Sequence, residues 1–143
     1  MDHREEINSY QTKLAEHLKI SFPELKTDFN FIRSKATLAV FTKKNALLSG
    51  NDEETSNQIA ERILFEGFYF SKFETVCEVL KQEFSELMLD EEYTTFALKM
   101  VKNLNCIFDN YDLTDDFIYT YDYDNLYIDI KEFIKRWIEE NGL

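Results

Sequence analysis

A chain of 143 residues, 44% hydrophobic and 15% aromatic, has the length of one domain and buries about 68% of its unfolded surface. Its three Gly and one Pro are too few for the turns of a many-stranded sandwich or barrel, so composition favours an all-α domain. The formal net charge of −12 repels phosphate and argues against direct binding to nucleic acid or to an anionic membrane.

The first expected helix runs from Arg4 to about Phe22, with Ile7, Tyr10, Leu14 and Leu18 on one face. Pro23 ends it, because the residue before a proline is pushed away from helical geometry. Asp28 is the expected N-cap of a second helix over Phe29–Leu48, with Phe29, Ile32, Ala36, Ala39, Val40 and Leu47 turned inward. Ser49-Gly50-Asn51 closes it, and Lys43 and Lys44 approach the negative end of its dipole. Asp52, Glu53 and Glu54 load the first turn of a third helix, whose inward residues are Ile59, Ile63 and either Leu64 or Phe68. Gly67 suits a left-handed cap at its end.

The most legible stretch is ILFEGFYFSKFETVCEVLKQEFSE, residues 63–86. Ser71-Lys72-Phe73-Glu74 has the spacing of a capping box, in which the Ser hydroxyl accepts from the Glu74 N–H and the Glu carboxylate reaches back to the Ser71 N–H. Phe73, Val76, Leu80 and Phe84 then follow a helical stripe over Lys72 to about Leu87. Asp90-Glu91-Glu92-Tyr93 opens a fifth helix carrying Phe96, Met100, Leu104, Ile107 and Phe108. From Asn110 tyrosines alternate with aspartates, and Thr114-Asp115-Asp116 reads as the start of a short turn. Asp122 is the expected N-cap of a last helix presenting Leu126, Ile130, Phe133, Ile134 and Trp137 or Ile138. Asn141-Gly142 ends it, with Lys135 and Arg136 in its closing turns. A short strand over Phe117–Tyr123 is the rival reading, but it has no partner strand. The expectation is therefore a single all-α domain over residues 1–143, a bundle of about six helices with an irregular acidic segment before the last.

Three segments resemble a known family: FEGFYFSKFETVCEVLKQEF (65–84), YDLTDDFIYTYDYDNLYIDI (111–130) and WIEENGL (137–143). They are similar to the L-x-G-L-H-F-S-x-Y-D-T, Y-x-L-T-D-D-F and Y-D-x-L-Y-T-E-L segments of an uncharacterised Bacteroidales family of unknown function, whose members commonly end in E-E-x-G-L. The resemblance covers about residues 28–143. It implies a small cytoplasmic multi-helical protein of a kind often encoded near conjugative transposon genes, and it carries no activity. Phe68-Tyr69 stands for the usual Leu-His, and Ile128-Asp129-Ile130 for Thr-Glu-Leu.

Catalytic chemistry finds little support in the residues. His3 and His17 are the two histidines, and no Ser or Cys has a recognised nucleophile context. Cys77 and Cys106 read as buried reduced thiols. Asp109, Asp112, Asp115 and Asp116, or Asp122 and Asp124, supply oxygen atoms but not the spacing of a calcium loop. No metal, cofactor, signal segment or membrane span is therefore expected.

The tyrosine–aspartate stretch is the candidate site. Tyr111 and Tyr127 are placed to join the core, whereas Tyr119, Tyr121 and Tyr123 with Asp115, Asp116, Asp122 and Asp124 form the expected partner-binding surface. The leading expectation is a non-enzymatic interaction or accessory module with an unidentified protein partner or a second copy of itself. Two alternatives stand beside it. One is a DNA mimic acting on a nucleic-acid-binding protein, motivated by the charge split: residues 1–44 carry eight basic against six acidic side chains, while residues 45–143 carry eight against twenty-two, a balance of −14. The other is a hydrolase using a carboxylate pair.

Overall fold

The computed structural model describes residues 2–26 and 28–142. The protein is all-α, with seven α-helices, two short 3-10 turns and no strand among the described residues. Its helices gather into two compact units, one formed by the chain up to Ile20 with Leu25–Phe68, the other by Ser21–Glu24 and the chain from Tyr69.

The first unit is built from α1 (His3–Ser21, all but its last residue), α2 (Phe29–Leu48) and α3 (Glu53–Phe65). Asp28 caps α2 by accepting from the N–H groups of Asn30 and Phe31, and Asp52 caps α3 by accepting from Thr55 N–H at 2.7 Å. Asp28 stands where the sequence puts it, whereas Asp52, expected in the first turn of its helix, is the cap itself. Ile32, Ala36, Ala39, Val40 and Ala46 of α2 are buried, as are Ser56, Ala60 and Leu64 of α3. The run of alanines leaves room for close approach of α3. Tyr10, Leu14 and Leu18 supply the buried face of α1. Polar pins accompany that packing: Tyr10 Oη donates to Asn57 Oδ1, Lys13 pairs with Glu61, and Lys35 Nζ donates to the Ile63 carbonyl near the end of α3. His17 bonds through Nε2 to the Phe68 carbonyl at 2.7 Å and lies edge-on to Phe65. It holds backbone.

Three expected core residues face water instead: Phe29 (63% exposed), Leu47 (43%) and Ile59 (38%). Phe29 is the first residue of its helix, and Ala46 takes the inward position beside Leu47. α2 is apolar on more than one face, so periodicity could not single out the buried one.

The second unit holds α4 (Lys72–Glu83), a 3-10 turn at Asp90–Glu92, α5 (Tyr93–Asn103), α6 (Asn105–Phe108), a 3-10 turn at Phe117–Tyr119, and α7 (Tyr121–Asn141). Phe73, Val76 and Leu80 of α4, Met100 of α5, Phe108 of α6, and Leu126, Ile130 and Ile134 of α7 share one core. Trp137 packs edge-on to Phe96 at 5.5 Å, with Lys99 Nζ 4.7 Å above its ring. Gly67, at φ +86, takes the left-handed geometry expected shortly after the end of α3.

Half of the capping box forms. Ser71 Oγ accepts from Glu74 N–H at 3.0 Å, but the Glu74 carboxylate accepts from the Ser21 hydroxyl at 2.7 Å. Ser71 Oγ in turn donates to the Ser21 carbonyl. α4 stops at Glu83, short of Leu87, and the expected fifth helix breaks at Leu104 between two asparagines, which are weak helix formers. Asp122 is not the cap of α7. Thr120 holds that position without a side-chain cap bond, and Asp122 falls in the first turn. Cys77 is half-buried and Cys106 exposed, so neither thiol is fully enclosed. Among the described residues no helix is long and apolar enough to cross a membrane.

Candidate functional site

The tyrosine–aspartate segment is threaded by consecutive tight turns after α6. Phe117 N–H bonds to the Thr114 carbonyl, Tyr119 N–H to Asp116, Thr120 N–H to Phe117 and Tyr123 N–H to Thr120. One ring anchors the whole run. Phe117 is 2% exposed and meets Phe70, Tyr111 and Tyr123 edge-on, with centroids 5.2, 5.9 and 6.4 Å away. With Phe117 inward, the 3-10 turn swings its next two residues out: Ile118 is 44% exposed and Tyr119 84%. Tyr121, on the first turn of α7, is 92% exposed.

The remaining tyrosines of the segment are tied down by hydrogen bonds. Tyr111 Oη donates to Asp129, Tyr123 Oη to Glu78 Oε2 at 2.7 Å, and Tyr127 Oη to Gln82 Oε1 at 2.6 Å and Glu83 Oε1 at 3.2 Å. Lys131 Nζ lies 3.4 Å from Glu83 Oε2, continuing the same series one turn further along α7. The hydrogen bond to Asp129 pushes the Tyr111 phenol up to about 12. Burial, then the charge of Glu83, pushes Tyr127 to about 12. Burial and the bond to Glu78 push Tyr123 up as well. Tyr123 and Tyr127 bind α7 to α4, and Tyr111 ties the segment after α6 to α7.

The expected site residues therefore separate. Tyr119, Tyr121, Asp116, Asp122 and Asp124 are exposed, whereas Tyr123 is partly buried and Asp115 accepts from the Tyr69 N–H at 3.2 Å. Sequence reasoning missed Ile118 and Ile128, 44% and 55% exposed. Ile128 sits two turns along α7 from Tyr121, a helical spacing that was available as a signal. Together these groups make two projecting phenols and two aliphatic side chains among carboxylates. Such a surface suits a partner that offers guanidinium or ammonium groups beside apolar ones, since cations stack on phenol faces and pair with carboxylates.

No three acidic, histidine or cysteine side chains among the described residues come together as a metal site. A concave surface lies between Glu83, Glu86, Lys131 and Lys135. Its Glu83 faces an ammonium, the opposite of the carboxylate pair that a raised pKa requires.

The family described as Domain of unknown function (DUF1896) matches residues 2–143. The crystal structure of protein PG0816 from Porphyromonas gingivalis superposes with a TM-score of 0.92, at 29% identity, covering 99% of this chain and 96% of that one. No curated protein matches the sequence.

Proposed function

The chain belongs to the DUF1896 family, and from that premise we propose that it is a non-enzymatic interaction module whose contact surface is centred on Tyr119 and Tyr121. The observation that carries this reading is their exposure, 84% and 92%, on a segment that Phe117 fixes from within. Large aromatic side chains held out from a rigid support lose little entropy on binding and are the residues in which binding energy concentrates. Asp116, Asp122 and Asp124 select a basic partner. Tyr123 belongs to the support. The resemblance to genes found beside conjugative transposons suggests an accessory role for a mobile element in a Bacteroidales host.

The experiment is capture of partners by the wild-type protein and by a Tyr119→Ala/Tyr121→Ala variant, with Tyr123→Ala as the comparison. The expected result is loss of capture in the double variant at an unchanged melting temperature, and lowered stability in Tyr123→Ala. Intact capture by the double variant would overturn the reading.

A second reading, mimicry of DNA, is favoured by the −14 balance of residues 45–143. It requires binding that duplex DNA competes away and that falls steeply with salt. Binding through the tyrosines and their apolar neighbours keeps much of its strength at high salt, so a salt series separates the two.

A further inference from the structure

α2 carries no Asp or Glu anywhere along its length. A surface helix ordinarily keeps charge on its solvent side. Here one stripe of the solvent side reads Phe31, Ser34, Leu38, Phe41, Asn45, Leu48, all exposed, with the exposed charges Arg33 and Lys44 outside that stripe. The four large residues are exposed by 41, 53, 47 and 77%. Their spacing is a heptad seam, with Phe31, Leu38 and Asn45 at one core position and Ser34, Phe41 and Leu48 at the other. The order is also a palindrome about the midpoint between Ala39 and Val40: large, polar, large, large, polar, large.

We propose that α2 is a self-association face, through which two copies of this chain pair antiparallel about a two-fold axis at that midpoint. The axis sets Phe31 against Leu48 of the second copy, Leu38 against its Phe41, and Ser34 against its Asn45, whose amide and the serine hydroxyl can bond. An interface of this symmetry must be self-complementary, residue i meeting j and j meeting i. A palindromic seam is that property written along a single helix. A polar layer within an apolar seam fixes register at some cost in affinity.

The flanks agree. Beside an antiparallel seam Lys35 comes opposite Thr42 of the second copy, and Lys44 opposite its Thr37, so no like charges face each other. Lys35 is in any case turned to the Ile63 carbonyl. The seam itself holds no charge, and its apolar side chains suit an equally apolar stripe. Two of its rings are already set, Phe31 edge-on to Phe68 at 5.9 Å and Phe41 to His3 at 5.8 Å. Taking about 200 Å² for each large side chain, the four expose roughly 400 Å² per copy. With the polar residues of the seam and its flanks, the pair reaches about 1,000 Å², the lower bound of a specific contact. A reversible dimer is expected.

Sedimentation equilibrium over a concentration series is expected to show reversible dimerisation, lost in Leu38→Glu/Phe41→Glu while the thermal midpoint of the dilute protein stays unchanged. In a Cys77→Ser/Cys106→Ser background, Ser34→Cys/Asn45→Cys should oxidise to a covalent dimer and Ser34→Cys alone should not. The two copies of residue 34 lie about 16 Å apart along an antiparallel pair, eleven residues at about 1.5 Å each. A monomer at every concentration would overturn the proposal. So would a dimer that survives the double glutamate change, or cross-linking by Ser34→Cys alone, which marks parallel pairing. None of these outcomes bears on the Tyr119/Tyr121 surface, which stands or falls separately.

Discussion

Tyr121 and Tyr123 are two positions apart, yet one is 92% exposed and the other donates its hydroxyl to Glu78 across to a neighbouring helix. On a helix two positions are about 200° of rotation, so the two side chains must leave on opposite sides. Tyr123→Phe keeps the ring packing and removes only the bond. It is expected to cost about 1.5–3 kcal/mol in urea unfolding, the range for a hydrogen bond to a charged group; a neutral result would mean that the bond contributes nothing in solution. The same hydroxyls set a pH limit. Tyr111 and Tyr127, raised to about 12 in the folded chain, are held in their neutral form more firmly than in the unfolded chain, where a tyrosine titrates near about 10. Their contribution is complete below about pH 10 and is lost as pH rises toward about 12. Alkaline denaturation followed by circular dichroism should therefore set in above pH 10 and move to higher pH in Tyr127→Phe.

At the scale of the element, the starts of α2 and α4 were the readable part, whereas Asp122 misplaced the start of α7. Asp28 and Ser71 cap α2 and α4 as their spacing implies, because capping is a local interaction between residues two or three apart, and Asp52, read as a first-turn acid, caps α3. Ser71→Ala should cost about 1 kcal/mol or more, since the same hydroxyl also reaches the Ser21 carbonyl. What local spacing could not supply is any bond to a distant residue. Glu74 abandons the box for Ser21, fifty-three positions away. Tyr123 reads as a neighbour of Tyr121 until Glu78 is brought to it. No local spacing marks Phe117 as an anchor, and its role as the hub of three edge contacts depends on Phe70 arriving from another part of the chain. Phe117→Ala is expected to lower stability by about 3–5 kcal/mol and to raise hydrogen exchange across the segment from Asn110 to Thr120. Protection that stays unchanged there would refute its anchoring role.

Over the whole molecule the all-α class read from composition holds, and the helices gather into two compact units; which helices cluster is decided by contacts far apart along the chain. Charge, by contrast, is additive and was fully readable. An excess of −12 stores self-repulsion that salt relieves, the screening length falling from about 30 Å at 0.01 M to about 8 Å at 0.15 M. The thermal midpoint should accordingly rise over that range, and a fall would show that attractive ion pairs such as Lys131–Glu83 outweigh the net repulsion. Pairing through α2 would present two Tyr119/Tyr121 surfaces in one particle. A divalent partner would then dissociate more slowly than a monovalent one.

Trp137, packed against Phe96 beneath Lys99, gives the protein an internal reporter. It is the single tryptophan of the chain, and it lies in the unit that begins at Tyr69. Indole emission during denaturation therefore tracks that unit alone, while the helical ellipticity sums over both. Coincident curves would make the two units one cooperative system. An ellipticity loss that precedes or trails the emission change would give each unit its own unfolding free energy, obtained without a label or an added chromophore.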